Sequence, residues 1–219
     1  MNHYIDHTLL LANATTYQIN KLCDEAHEHQ FFSVCISPRF VEHCAERLIT
    51  SNVKICTVIG FPLGANTMAT KVFETQNAIA LGANEIDMVV NISDVLDGSW
   101  DSVEKEIRAI KEACGSILLK VIFETCLLTN EQIVQLCNIS KRAGANFVKT
   151  STGFSTGGAT VEHIRLMRDT VGQQMGVKAS GGVRTRETAQ AMIDAGASRI
   201  GASASVGITS GTTPTNDGY

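Results

Sequence analysis

Four ionisable residues sit inside runs that otherwise read as strands buried on both faces: Asp87 in Glu85-Ile86-Asp87-Met88-Val89-Val90, Lys120 within 118–124, Lys149 within 146–150 and Lys178 within 176–179. Side chains alternate along a strand. If Ile86, Met88 and Val90 face a helix layer, Asp87 faces the other way, and the same logic sets Lys120 and Glu124 against Leu119, Val121 and Phe123. Lys149 likewise opposes Val148, and Lys178 opposes Val177. Three lysines and an aspartate then converge in one enclosure. Mutual neutralisation, or lysine stems reaching water, would account for any one of them. Burying several charges nevertheless costs multiple kcal/mol per ion unless they are well paired, so a core selected for stability alone would avoid the cluster. Chemistry gives it a use. An ammonium beside a second cation in a low dielectric is destabilised relative to its amine, and bringing a lysine from about 10.4 to near 7 takes roughly 4–5 kcal/mol. Lys149 and Lys178, on successive strands, can be such neighbours. A neutral lysine attacks carbonyls to form an imine, and the protonated imine is an electron sink for breaking a carbon–carbon bond two atoms away. Asp87, held near Lys178, would move the protons.

The elements that must position these residues follow from periodicity. Short apolar or β-branched runs alternate with segments whose apolar residues recur every three or four positions, the α/β pattern. Strands are expected at 4–8, 32–36, 54–59, 85–90, 118–124, 147–150, 177–180 and 199–202. Ser37 before Pro38 reads as a helix cap and first-turn residue, and Thr129 with Gln132 as a capping box. Leu81-Gly82-Ala83-Asn84, Ala143-Gly144-Ala145-Asn146 and Ala195-Gly196-Ala197-Ser198 each close a helical pattern just before a strand, with glycine at the left-handed ending. Eight such units in 219 residues average about 27 residues each, near the lower limit for a closed (β/α)8 TIM barrel. An open doubly wound sheet is the alternative, but no GxGxxG follows the first strand and no GxxxxGKS/T occurs. A single barrel domain is expected over 1–208, its last helix short or absent, followed by a polar tail, 209–219.

Composition removes several function classes. Hydrophobic residues at 44% and charged residues at 18% exclude a disordered chain. With 18 Lys and Arg against 22 acidic residues, nothing draws the chain broadly to nucleic acid or an anionic membrane, and neither is an expected partner. The 7 cysteines form no CxxC pair, which fits reduced thiols in a cytoplasm better than a disulfide framework or a zinc knuckle. Cys114, Cys126 and Cys137 read as core filler, while Cys35, at a strand end by the expected pocket, could meet an electrophile. His3, His7, His27 and His29 lack companions at ligand spacing, so no metal is expected. The start, MNHYIDHTLL, is not a signal peptide, and no run of 18 apolar residues occurs, so a cytoplasmic protein is expected. Trp100 and 101–111 read as an amphipathic outer helix. The assembly state stays open, with a homodimer as one option.

The late loops suggest the ligand. Ser180-Gly181-Gly182-Val183-Arg184 follows the seventh strand and Gly201-Ala202-Ser203 ends the eighth, gathering backbone N–H groups and a hydroxyl where barrels commonly bind phosphate. The stretches EIDMVVN, LLKVIFET, FVKTSTGFSTGGAT and GVKASGGVRT, with IDHTLL near the start and RIGAS near the end, are collinear with deoxyribose-phosphate aldolases, which the chain resembles over nearly its whole length. The resemblance implies reversible cleavage of 2-deoxy-D-ribose 5-phosphate to D-glyceraldehyde 3-phosphate and acetaldehyde through a lysine Schiff base, with no cofactor and no metal. It makes Lys149 the Schiff-base lysine, Lys178 the neighbour that lowers its pKa and Asp87 the proton-transfer partner. It also places Asp6, Thr8, Cys35 and Lys120 in the wall of the substrate pocket. Gly153, Gly181, Gly182 and Ser203 fall on the phosphate, with Thr152 beside them. Two departures concern the phosphate end: Ala204 stands where some members carry a serine, and Phe154 where some carry a lysine. Tyr219 ends the chain as in some members and could fold over the mouth. Another imine-forming aldolase, or a barrel that only binds a sugar phosphate, are the competing readings.

Overall fold

The computed structural model describes residues 1–211; Tyr219 and most of the expected tail lie outside the described residues. Eight strands, β1 Ile5–Leu9, β2 Ser33–Ile36, β3 Lys54–Ile59, β4 Glu85–Val89, β5 Leu118–Ile122, β6 Phe147–Lys149, β7 Gly176–Ser180 and β8 Arg199–Ala202, pair in parallel in chain order. β1 pairs with β8 and closes the barrel, as expected. The helices are α1 Thr16–Glu28, α2 Val41–Arg47, α3 Met68–Ala80, α4 Ile92–Leu96, α5 Trp100–Cys114, α6 Asn130–Arg142, α7 Val161–Val171, α8 Arg186–Asp194 and α9 Ser205–Ser210. The last helix is present and short, six residues, and it runs across the expected 208/209 boundary.

The three repeated joints explain how helices return to the barrel. Gly82, Gly144 and Gly196 have φ of 108°, 82° and 110°, a region where a side chain would clash with the backbone. The following amides of Ala83, Ala145 and Ala197 donate back to Ala78, Ser140 and Met192, closing each helix with the six-to-one bond of a Schellman turn. The fourth residue then does the positioning. The Asn84 side chain accepts from Ile55 N at 3.0 Å, Asn146 from Leu119 N at 2.9 Å and Ser198 from Val177 N at 3.0 Å. Each joint therefore staples an arriving strand to its neighbour. The α1–β2 connection makes the same backbone bonds, from Gln30 N to His27 O and from Phe31 N to Ala26 O, but with Gln30 at the left-handed position, φ 52°.

Most of the apolar core lies between barrel and helices, where Ile86, Met88, Val121, Phe123, Val148 and Val177 are fully buried against residues such as Ile107, Leu136 and Met167. The capping box of Thr129 and Gln132 forms at the start of α6. Ser37 precedes Pro38 but makes no side-chain cap, and a three-residue 3-10 turn, Pro38–Phe40, leads into α2. At the closing seam the buried His7 of β1 reaches Glu25 on α1 at 2.8 Å and Ser205 on α9 at 3.0 Å, a packing role. The outer helix α5 hides an unexpected charge: Glu106 is buried and pairs at 2.8 Å with Lys71 of α3, which also donates to Val89 O. Cys126 is the correction among the thiols, since it sits half-buried in the 3-10 turn Thr125–Leu127 beside Ser155, whereas Cys114 and Cys137 are core. No helix among the described residues is long and apolar enough to cross a membrane.

Candidate active site

The alternation read from sequence brings Asp87, Lys120, Lys149 and Lys178 together inside the barrel, on β4, β5, β6 and β7. Register explains the convergence, because Asp87 is level with Lys120, and Lys149 with Lys178, on paired strands. Asp87 is the hub. Its Oδ1 accepts from Lys120 at 2.7 Å, and its Oδ2 from both Lys149 and Lys178 at 2.8 Å each, so the last two ammonium groups share one oxygen.

Three further charges sit in the layer below. Asp6 Oδ2 contacts Lys178 Nζ at 2.5 Å, while Oδ1 accepts from Arg199 at 2.7 Å and from the Ser33 hydroxyl at 2.7 Å. Glu85 Oε2 accepts from Lys120 at 2.6 Å and from Arg199 at 2.5 Å. The Arg199 guanidinium stacks 3.4 Å from the centre of the Phe32 ring, which floors the cluster. Followed round, Arg199, Asp6, Lys178, Asp87, Lys120 and Glu85 form a closed ring of alternating charge. Lys149 hangs from it, held by Asp87 alone among the carboxylates of the described residues.

Electrostatics fix most of these protonation states. Burial favours the neutral acid at Asp87, but the charges of Lys120, Lys149 and Lys178 outweigh it and hold the carboxyl well below the usual range. Asp6 is lowered too, burial being overcome by Lys178 and Arg199. For Lys178 burial opposes the charge, yet Asp6 and Asp87 carry its pKa well above the ordinary value. Lys120 follows the same balance, with Asp87 foremost among the groups that raise it. Cys35, level with Cys56 on β3, is pulled down to about 7, chiefly by the hydrogen bond with Cys56. Cys35, Cys56 and Asp87 place three donor atoms within 4.8 Å of one another. That set does not suit a cation, since both Asp87 oxygens already serve ammonium groups and Lys120 lies 3.3 Å from Cys56 Sγ.

Above the cluster, at the carboxyl ends of the strands, a cavity of about 100 Å³ is walled by Thr8, Lys149, Thr152, Gly153, Gly181, Gly182 and Ser203, all of them expected site residues, and by Arg184. Asp6, Cys35 and Lys120, also expected in the wall, are not among the residues that border this cavity. Each is fully buried, and each lies beneath the cavity instead of in its wall, because ion pairing or the Cys35–Cys56 contact keeps its polar atoms in the layer below. Lys149, 3% exposed, is the member of the lysine trio that reaches the opening.

Two loops shape that wall. Gly181 and Gly182 take left-handed φ values of 80° and 78°, and Gly158 packs so closely that a Cβ there would come 2.2 Å from Gly181 O. Glu124, expected at the inward end of a strand, corrects that expectation: β5 stops at Ile122 and Glu124 adopts φ 57°, ψ 60°. From this strained position its carboxylate accepts from Thr152 N at 3.1 Å and from the Thr152 hydroxyl, tying the cavity wall to β5. Phe154 turns away from a phosphate role and packs edge-on against Phe61, their centres 5.3 Å apart. Sequence reasoning missed Glu85, Arg199 and Cys56. Alternation was the available signal for all three, since Glu85 stands beside Ile86, Arg199 beside Ile200 and Cys56 beside Ile55 on expected strands.

A closed (β/α)8 barrel with ionisable groups converging beneath an opening at the carboxyl ends of its strands defines a barrel enzyme. The profile of the DeoC/LacD family aldolases matches residues 1–213. A deoxyribose-phosphate aldolase 1 of Vibrio vulnificus is 87% identical over 219 residues, 100% of both chains. A deoxyribose-phosphate aldolase of Brevibacillus brevis is 61% identical over 219 residues, covering 100% of this chain and 99% of its own. Among solved structures, a deoxyribose phosphate aldolase of Aeropyrum pernix, described as a unique tetramer, has a TM-score of 0.89 at 34% identity, over 95% of this chain and 89% of that one. The chain belongs to the DeoC/LacD family of aldolases, carbon–carbon lyases.

Proposed function

We propose that this aldolase reversibly cleaves 2-deoxy-D-ribose 5-phosphate to D-glyceraldehyde 3-phosphate and acetaldehyde through an imine on Lys149. The observation that carries the reading is the position of Lys149: it alone of the three clustered lysines borders the cavity, and among the described residues only the Asp87 carboxylate pairs with it. Lys120 and Lys178, each clamped by two carboxylates, stay charged. The names of the close relatives support the substrate.

In cleavage, the free amine of Lys149 adds to the C1 aldehyde of the opened sugar, and loss of water from the carbinolamine gives the protonated imine. The C3 hydroxyl gives up its proton, the C2–C3 electron pair moves toward the imine nitrogen, and glyceraldehyde 3-phosphate leaves. The enamine left on Lys149 is protonated at C2, and water then hydrolyses the imine to free acetaldehyde and the lysine. Asp87 Oδ2, which accepts from both Lys149 and Lys178, lies where a water held by Asp87 and Lys178 can carry the C3 hydroxyl proton to C2 of the enamine, while Lys178 stays charged. Gly153, Gly181, Gly182 and Ser203 hold the phosphate mainly through backbone amides, helped by Arg184 and by the buried Ser180 hydroxyl, which has no hydrogen-bond partner among the described residues.

Reductive trapping tests the reading. Borohydride added with deoxyribose 5-phosphate should leave a reduced adduct that peptide mapping places on Lys149. Lys149→Arg should abolish both adduct and turnover, because a guanidinium stays charged and forms no imine. Substrate binding without any adduct would instead describe a sugar-phosphate-binding barrel, and a preference for dihydroxyacetone phosphate over acetaldehyde as donor would describe a different aldolase.

A further inference from the structure

We infer that Arg199 and Glu85, which touch neither the cavity nor Lys149, are positioning residues that set the charge balance of the cluster, so that the proton on Lys149 is the one the cluster sheds to become electrically neutral. The inference rests on Lys149 being the imine-forming amine.

The argument is one of counting and connection. In the ring, Arg199, Lys178 and Lys120 are matched one for one by Asp6, Asp87 and Glu85, every adjacent pair lying between 2.5 and 2.8 Å. All six are buried, so screening by water is weak and net charge is costly. Lys149 is the seventh charge, and no carboxylate of the ring is left over to match it. A carboxylate cannot give way easily, because each carboxylate of the ring touches at least two cations. Lys120 and Lys178 cannot either, since each would leave two carboxylates short of a partner. Deprotonating Lys149 costs a single contact and leaves the cluster neutral. Arg199 is the keystone: being a guanidinium it does not titrate, and it cancels the charge of Asp6 or Glu85 that would otherwise fall to a lysine to cancel.

The charged and titratable groups inside the barrel around Lys149 are Asp6, Cys35, Cys56, Glu85, Asp87, Lys120, Lys178 and Arg199; at its cavity they are joined by Arg184 and by Glu124, which is tied to Thr152. Cys35 can also absorb a change of charge, as a thiolate.

The sign of the effect follows. Removing the charge of Arg199 leaves a carboxylate in surplus, so Lys149 keeps its proton to higher pH. Removing that of Glu85 leaves a cation in surplus, so Lys149 loses its proton at lower pH. The acid limb of kcat/KM for deoxyribose 5-phosphate cleavage, and the pH dependence of borohydride trapping at Lys149, should therefore move upward in Arg199→Met and downward in Glu85→Gln, each by on the order of one pH unit. Arg199→Lys should leave the limb in place, and Arg199→Met combined with Glu85→Gln should return it to the parent position. A merely structural role would lower kcat or the melting temperature without opposed displacements. The same signs should persist in a Cys35→Ser background.

Displacement of both single variants in one direction, a stationary limb in folded variants, or loss of the opposed signs without the thiol overturns the inference. Should Arg199→Met fail to fold, the near-isosteric Glu85→Gln and the double variant carry the test. Absence of an adduct in the parent protein removes the imine reading and this inference with it; an adduct in the parent with a limb indifferent to Arg199 and Glu85 removes the inference alone.

Discussion

Replacing Asp87 with Asn is the sharpest single perturbation of this molecule. Asp87 is fully buried, and its oxygens accept from three ammonium groups at 2.7 and 2.8 Å and from the Cys56 thiol at 3.1 Å. The amide keeps the shape, removes one negative charge and turns an acceptor into an NH2 aimed at cations. Breaking one side of a buried ion pair costs about 3–5 kcal/mol. At roughly 2–4 °C per kcal/mol for a chain of this size, the midpoint of thermal unfolding should fall by on the order of 10 °C near neutral pH. The pH dependence identifies the cause. The folded carboxyl is held well below its ordinary value, so its stabilisation is complete above the unfolded value, about 3.9, and is lost as pH falls through the folded one. In the Asn variant the surplus positive charge is relieved as pH rises and a lysine gives up its proton. Urea unfolding followed by circular dichroism should thus show the widest gap between parent and variant near about pH 6–7, narrowing toward about pH 9–10. A gap below about 1 kcal/mol at neutral pH, or one that widens as pH rises above neutral, would refute the account of the cluster.

Lys71→Met should destabilise by about 3–5 kcal/mol by stranding Glu106, and adding Glu106→Gln should recover most of the loss in urea unfolding, since the pair then leaves no buried charge behind. Gly158→Ala forces backbone apart at Gly181; KM for deoxyribose 5-phosphate should rise about tenfold or more, with a smaller change for unphosphorylated deoxyribose, a cost of about 1.4 kcal/mol at the phosphate end. Gln30→Gly relieves a left-handed residue at a helix end and should add about 0.5–1 kcal/mol to the unfolding free energy.

The barrel and its lysines were legible because both rest on short-range rules. Alternation within a strand points Lys120, Lys149 and Lys178 inward whatever the rest of the chain does, and Gly82, Gly144 and Gly196 announce helix endings by conformation alone. Alternation against Ile200 points Arg199 inward as well, but its pairing was not legible, because its partners Asp6 and Glu85 are 193 and 114 residues away and meet it only when the barrel closes. Glu106 read as the solvated side of the amphipathic helix 101–111; only the packing of α3 on α5 buries it together with Lys71. Glu124 was misread because its run stays apolar and strand-like to Phe123, while the turn that frees its carboxylate for Thr152 depends on the neighbouring loop.

The side-chain clamps at Asn84, Asn146 and Ser198 fall on alternate strands, joining β3 to β4, β5 to β6 and β7 to β8. The cylinder is thus built of two-strand cassettes, the first of which, β1 with β2, keeps the backbone turn at Gln30 without the clamp. The seams between cassettes, just ahead of β3, β5 and β7, are crossed by no such clamp among the described residues. New chain termini opened there by circular permutation would leave every cassette whole, which makes these seams the natural places to cut the molecule and rejoin it.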